Sequence, residues 1–312
     1  MPLTQPLKGI VPPLLTPLLT PDSLDVESLE RLLDHVIGGG VHGVFILGTT
    51  GEGPALGLSL AKDVIVRTAT ALRGRVPLLV GVTHASTSDS LELARAAADA
   101  GADGVVTAGP CYFPIAPGEL ADWARNYAAA SPLPMFLYNM PSHAHVRFDE
   151  TTVLKLAGDS PNIVGLKDSS GELMYLHGLV RSVLPVRPDF TLMIGPEELT
   201  PEAVLFGVHG GVSGGANLFP ALYVEGYRAA VAGEVAAMRQ VHTRVLDLSR
   251  RLYSLGAYGA SSYLCGIKCA ASELGLMRNV LAAPYRPFEG AQRERIREEV
   301  TALARQLQPV IA

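Results

Sequence analysis

The chain has 312 residues, 48% of them hydrophobic and 18% charged, so it can bury a large core. It is too long for an ordinary single domain but suits a (β/α)8 barrel of ~250 residues with an appendage. A net charge of −5 without a basic block argues against a nucleic-acid surface, and no apolar run reaches the ~18 residues of a membrane span.

Strand-like and helix-like stretches alternate from the start. Gly9–Pro17 (GIVPPLLTP) is an apolar run broken by prolines and reads as a first strand. Asp25 is placed to cap a helix reaching about Gly38, because Leu29, Leu32, Leu33, Val36 and Ile37 recur at helical spacing. Gly43–Leu47 is a second strand and ends in Gly48-Thr49-Thr50-Gly51-Glu52-Gly53. Ser59 opens a helix to about Leu72, and Val76–Val82 is the third strand. A helix from about Ser88 to Ala100 precedes strand four, Gly104–Ala108, which runs into the turn Gly109–Pro114. A helix around Gly118–Ala130 leads to strand five, Pro134–Tyr138, followed by Asn139-Met140-Pro141-Ser142-His143. Asp149 caps the next helix, to about Ala157, with Phe148 as an outside staple. Strand six, Asn162–Lys167, ends at a lysine and is followed by Asp168-Ser169-Ser170-Gly171. A helix from Leu173 to Val183 leads to strand seven, Phe190–Ile194, then Gly195-Pro196-Glu197-Glu198. Thr200 is expected to cap a helix to Phe206. Strand eight is Gly210–Val212.

The strands are short and apolar throughout, as parallel strands buried on both faces must be. Eight strict alternations favour a closed (β/α)8 TIM barrel over an open sheet, an α/β architecture. From about Gly233 the pattern is helical only, with Glu234–Tyr253, Ser261–Leu274 and Gly290–Leu307. The expected organisation is a catalytic barrel over residues 1–232 and a C-terminal helical extension over 233–312. In the last helix Arg293, Arg295 and Arg297 alternate with Glu294, Glu298 and Glu299, the pattern of a solvated face.

The three cysteines, Cys111, Cys265 and Cys269, are odd in number and lack metal-ligand spacing. Cys265 and Cys269 share a helical face, as small core residues do. A reducing cytoplasm is the expected compartment, and the N-terminus shows no signal-peptide pattern.

Chemistry collects after the strands. All strand carboxyl ends of a barrel open on one face, where its active site lies. The Thr49–Thr50 turn, Tyr112, Tyr138 and Lys167 should therefore converge. Taken alone, Lys167 reads equally as a solvated strand-end charge, Tyr138 as a core tyrosine and the threonine turn as a plain loop. Together they meet the needs of a Schiff-base site. A lysine partly withdrawn from water gives access to the neutral nucleophilic amine. A phenol moves protons on and off the carbinolamine. Two hydroxyls and backbone N–H groups of a glycine-rich turn hold a carboxylate. The other lysine on an apolar stretch, Lys268, falls outside the barrel's carboxyl face and reads as structural, snorkelling or paired at a helix end.

The segments GIVPPLLTP, GTTGE, YNMPS and GLKDSSG, in this order and spacing, resemble the family of dihydrodipicolinate synthase and N-acetylneuraminate lyase over roughly residues 7–285. The resemblance implies a barrel with C-terminal helices, a homotetramer, and class I lyase chemistry on pyruvate or a related 2-keto acid. It implies no metal and no organic cofactor. Lys167 becomes the imine-forming lysine and Tyr138 the proton shuttle. Thr49 and Thr50 hold the keto-acid carboxylate, and Tyr112 is the tyrosine lent to a neighbouring subunit to relay protons through Thr49. Gly48 in that turn and Val212 at the end of strand eight complete the expected substrate wall.

Two departures bear on substrate. The synthases present an arginine after YNxPS to grip an aldehyde's carboxylate; here His143 stands there, and a histidine cannot reproduce a bidentate guanidinium. Cys111-Tyr112 replaces a tyrosine pair. Glu197 and Glu198 lie where sialic-acid lyases set acidic groups on sugar hydroxyls, which carboxylates accept well; the other reading places them in a helix's first turn, favouring its dipole. The expected function is therefore an aldolase for a 2-keto-3-deoxy sugar acid or hydroxy-keto acid. The alternatives are condensation of pyruvate with aspartate semialdehyde and a catalytically silent keto-acid-binding protein.

Overall fold

Short apolar runs, most of them rich in β-branched residues and leucine and ended by glycine, proline or a polar cluster, form the barrel strands; the last is a pair of glycines. The computed structural model describes residues 4–113, 115–253 and 258–311. Pro114, which closes the turn expected after strand four, lies outside them. The strands are β1 (Gly9–Ile10), β2 (Val44–Ile46), β3 (Leu78–Gly81), β4 (Gly104–Ala108), β5 (Met135–Asn139), β6 (Ile163–Asp168), β7 (Thr191–Ile194) and β8 (Gly210–Gly211). All ladder pairings are parallel, in the order 1-8-7-6-5-4-3-2. Every residue of β2 to β7 is buried, as the continuous apolar runs require.

The remaining two edges meet through the chain just after β1. Pro13 bridges Phe45 in parallel. His42 N–H donates to Ile10 O at 2.8 Å, Phe45 N–H to Pro12 O at 3.0 Å, and Leu14 N–H to Phe45 O at 2.8 Å. This closes the barrel and explains why the expected first strand shrinks to two residues. Pro12 and Pro13 have no N–H to give, so that stretch joins the wall mainly as an acceptor. Just beyond the expected strand, Leu18–Thr20 pairs antiparallel with Ser23–Leu24 in a small hairpin that the sequence pattern did not reveal.

The helices are α1 (Val26–Gly38), α2 (Leu58–Leu72), α3 (Thr87–Asp99), α4 (Pro117–Ala130), α5 (Glu150–Asp159), α6 (Leu173–Val183), α7 (Thr200–Leu205), α8 (Pro220–Ala232), α9 (Val235–Leu252), α10 (Ser262–Glu273) and α11 (Gly290–Ile311). Asp25 and Asp149 cap α1 and α5, accepting from Ser28 N–H at 3.1 Å and Thr152 N–H at 2.8 Å. Phe148 is buried before the Asp149 cap. Thr200 is a correction. A 3₁₀ turn over Glu197–Leu199 precedes α7, so Leu199 holds the cap position and the Thr200 hydroxyl finds no partner.

Helix α8 completes the eighth βα unit. It packs against α7, α9 and α11, and Leu222, Val224, Ala229 and Ala230 are all buried. A helix covered on several sides loses the one-face period by which helices are recognised. One apolar cluster runs without a break from the barrel wall (Val44, Leu137, Leu166) into the extension (Leu248, Ile267, Ile296).

Replacing Asp149 by alanine removes the N-cap acceptor of α5. The expected cost is about 1 kcal/mol, measured as a lower urea midpoint at unchanged m-value.

Candidate active site

The site is set first by strand register. Tyr138 on β5 lies opposite Lys167 on β6, and Asn139 opposite Asp168. Side chains alternate along a strand, so the two pairs serve different sides of the wall. Lys167 is buried, with its Nζ 4.0 Å from the Tyr138 ring centroid and 5.1 Å from that of Phe45. Asp168 is not its partner. That carboxylate accepts from Asn139 Nδ2 at 2.7 Å and Ser170 Oγ at 2.9 Å, while Asn139 Oδ1 accepts Phe148 N–H at 3.2 Å. Burial pushes the Asp168 carboxyl up despite these donors. The pair locks the strand ends behind Lys167 and Tyr138.

The turn after β2 brings the threonines in. It closes through Gly53 N–H to Gly48 O at 3.1 Å and Glu52 N–H to Thr49 O at 3.1 Å, and Thr16 Oγ1 donates to Gly51 O at 2.6 Å. Leu47 and Glu52 both take positive φ, 56° and 58°. A Cβ on Gly53 would lie 2.0 Å from Leu47 O, and one on Gly81 2.3 Å from the same atom, so only glycine lets the backbone fold this close. Thr49 Oγ1 lies 3.3 Å from the Tyr138 hydroxyl, and Thr50 Oγ1 lies 3.2 Å from the Tyr263 hydroxyl.

Burial alone would raise the Tyr138 phenol. The Lys167 ammonium and hydrogen bonds from Thr49, Lys167 and Ser169 outweigh it, and its pKa falls below the usual tyrosine value. A phenol so placed, beside an amine, exchanges protons more readily near neutral pH.

The cavity over these groups has two lobes that share Thr49, Tyr138, Met140, His143 and Tyr285. Lys167, Thr50 and Val212 open into the larger, of about 530 Å³. Gly48, His84 and Cys111 line the smaller, of about 340 Å³. The structure thus gathers Lys167, Tyr138, Thr49, Thr50, Gly48, Val212 and His143 around one space. His143 sits on the one-turn helix Pro141–Ala144, with Nδ1 3.0 Å from Ser142 Oγ. Partial burial, His145 and the Lys167 ammonium all hold its imidazole below the usual histidine pKa.

Two expected residues are elsewhere. Tyr112 is 86% exposed, touches the Phe113 ring edge-on at 5.9 Å and lines neither lobe of its own chain. Glu197 corrects the expectation of a contact to substrate hydroxyls. It is buried behind the cavity wall and accepts from Gly215 N–H at 2.7 Å, Tyr223 Oη at 2.8 Å and Tyr253 Oη at 3.0 Å. Its acceptors are taken by the protein. Glu198 likewise accepts from Ser249 Oγ at 2.5 Å. Tyr263 and Tyr285 were not anticipated, because both come from the extension, about which barrel periodicity is silent. Ser169, beside the lysine in sequence, was in plain view.

Among the described residues lining either lobe the only cation besides histidine is Lys167, and no arginine is present. Among the described residues no three His, Cys, Asp or Glu side chains are grouped to hold a metal ion.

Known proteins share the sequence pattern and the fold. The model of the Dihydrodipicolinate synthetase family matches residues 6–303. A probable 2-dehydro-3-deoxy-D-pentonate aldolase YjhH of Escherichia coli (strain K12) is 33% identical over 240 residues, 77% of this chain and 80% of that protein. A 4-hydroxy-tetrahydrodipicolinate synthase of Salinibacter ruber is 31% identical over 94% of this chain and 93% of its own. Among solved structures, dihydrodipicolinate synthase from Bacteroides thetaiotaomicron superposes with a TM-score of 0.92 at 43% identity, covering 96% of this chain and 100% of that one. YagE of Escherichia coli K12, in complex with pyruvate, does so with a TM-score of 0.89 at 27% identity, over 95% and 98%.

Burial first, then neighbouring Glu198, raise the Glu197 carboxyl from 4.5 to about 7. A raised folded-state value means its contribution is full below the unfolded pKa and is lost as pH rises to about 7. In Glu197→Gln that loss disappears. The stability difference between wild type and variant should therefore change by roughly 3 kcal/mol between pH 4.5 and 7.5, read from urea unfolding at each pH.

Proposed function

The chain belongs to the dihydrodipicolinate synthetase family, and we propose that it is a class I lyase that cleaves a 2-keto-3-deoxy sugar acid into pyruvate and an uncharged hydroxy-aldehyde. The observation that carries this reading is the cavity: a buried lysine against a tyrosine and a threonine turn, with no arginine to hold a second carboxylate.

The neutral Lys167 amine attacks C2 of the keto acid. Tyr138 delivers a proton to the carbinolamine oxygen, water leaves, and an iminium forms. Thr49 and Thr50 hold the substrate carboxylate, which orients C2 toward the amine. Tyr138 then removes the proton of the C4 hydroxyl. The C3–C4 bond breaks, its electron pair passes into the iminium, and the aldehyde departs from an enamine of pyruvate. Protonation at C3 and hydrolysis return the lysine. The lowered phenol pKa suits a group that must both give and take a proton. Beyond Lys167, the lobes offer His84 and His143 but no arginine among the described residues, a lining that suits hydroxyl groups better than a second anion.

The Escherichia coli relative, a probable 2-dehydro-3-deoxy-D-pentonate aldolase, supports this substrate class. A second reading is condensation of pyruvate with aspartate semialdehyde, favoured by the synthase name of the structure at 43% identity. The anion-gripping arginine position counts against it, because an imidazole held below its usual pKa is largely neutral at pH 7. We further propose a homotetramer, in which the exposed Tyr112 at the carboxyl end of β4 completes a neighbour's site. Three free cysteines suit a reducing cytoplasm, and among the described residues no helix is long and apolar enough to cross a membrane.

Incubation with pyruvate and borohydride should add the mass of a reduced pyruvyl group at Lys167, and Lys167→Ala should show none. Absence of the adduct in the wild type overturns the mechanism. Tyr138→Phe should retain slow trapping but lose ~10²–10⁴-fold in turnover. With trapping in hand, a panel of aldehydes and keto acids assayed by pyruvate release separates the two readings. Efficient saturable condensation with aspartate semialdehyde would favour the synthase.

A further inference from the structure

Lys268 has no part in the chemistry above, yet it is one of the few charged side chains with no solvent exposure at all. It lies within α10 and pairs with Glu52, 216 residues earlier, whose side chain is equally buried. Glu52 belongs to the same turn as Thr49 and Thr50. Its second carboxylate oxygen accepts the Ala282 N–H at 2.7 Å. The Ala282 carbonyl accepts the Tyr285 N–H at 3.0 Å, and the Tyr285 side chain lines both lobes of the cavity. One turn before Lys268 on the helix, Cys265 Sγ donates to Arg286 O at 3.2 Å. A single carboxylate therefore ties three things together: the substrate turn, α10 and the segment carrying Tyr285.

A buried ion pair is a poor device for stability alone, since a neutral apolar pair of similar volume serves as well or better. Its strength is directional. A charged lysine and an obligate backbone donor leave the Glu52 carboxylate one orientation, and Glu52, two positions from Thr50, itself holds a positive φ of 58°. Nothing else in the extension reaches this turn with a charge among the described residues; the Tyr263–Thr50 contact is neutral.

We propose that Lys268 is a positioning residue: through Glu52 it sets the Thr49–Thr50 turn, and through the shared Ala282 contact it sets the Tyr285 wall, so that the C-terminal helices govern keto-acid affinity at a site built on the barrel. The inference rests on the imine reading of Lys167.

The test uses the full-length chain with two changes. Glu52→Gln/Lys268→Met removes both charges together, so no lone charge is left buried. Glu52→Asp keeps the charge but withdraws the carboxylate by one methylene. Each is checked for folding by thermal melting, then assayed by borohydride trapping across pyruvate concentrations and by steady-state turnover. Half-saturating pyruvate should rise at least about tenfold in both, with kcat changed by less than about threefold, the signature of lost ground-state positioning. A merely structural pair would lower the melting temperature without moving the half-saturation. Folded variants with unaltered half-saturation would overturn the proposal while leaving wild-type trapping intact. Failure of trapping in the wild type would overturn the imine reading and this proposal with it.

Discussion

The structure depends on the register between β5 and β6. Lys167 and Tyr138 meet because they are opposite one another in a parallel ladder. A shift of one residue would carry both side chains out of the cavity and set Asn139 and Asp168 in their place. The Asn139–Asp168 hydrogen bond, made one position on, holds the register from outside. The chemistry and the pin that secures it are therefore adjacent residues of the same two strands, pointing opposite ways.

Three buried carboxylates surround this centre, and each is satisfied differently. Asp168 takes an amide and a serine, Glu52 a lysine and a backbone N–H, Glu197 two phenols and a backbone N–H. A buried carboxylate without such donors is prohibitively costly, so each dictates the local arrangement of several elements at once. Glu197 joins the turn after β7 to the strap after β8 and to α8 and α9. Glu52 joins the turn after β2 to α10. The helical extension is thus bound to the barrel through the acids behind the active site as well as through the shared apolar core.

The cavity then follows from what these anchors leave open. Among the described residues its lining offers hydroxyls, imidazoles, the Lys167 amine and, at the smaller lobe, Glu52, with apolar walls from Met140, Val212 and Leu47. Such a lining suits the proposed reading, with one carboxylate beside the lysine and hydroxyls further out. Relatives named for a pentonate aldolase and for a 4-hydroxy-tetrahydrodipicolinate synthase both match most of this chain, and the proposed choice between those activities rests on this outer lining.

Much of the centre was legible in the residues themselves. Periodicity located the barrel strands and most helices because burial on both faces, or on one, leaves a direct mark on composition. The motif residues Lys167, Tyr138, Thr49 and Thr50 were legible because strand carboxyl ends must converge in a barrel. Other features carried no local mark. The prolines that shorten β1, the hairpin at Leu18–Leu24 and the all-round burial of α8 depend on what packs against them. Glu197 read equally as a sugar contact or a helix-start charge, and only the positions of Tyr223, Tyr253 and Gly215 show that its acceptors are taken. Lys268 read as a structural lysine, snorkelling or paired at a helix end. Its partner across 216 residues is a fact of tertiary structure, since nothing local in a sequence tells a lysine which distant carboxylate will share its burial. The chain's own order of residues determined the barrel and the chemistry at its mouth; the folded structure alone decided which buried charges hold that mouth in shape.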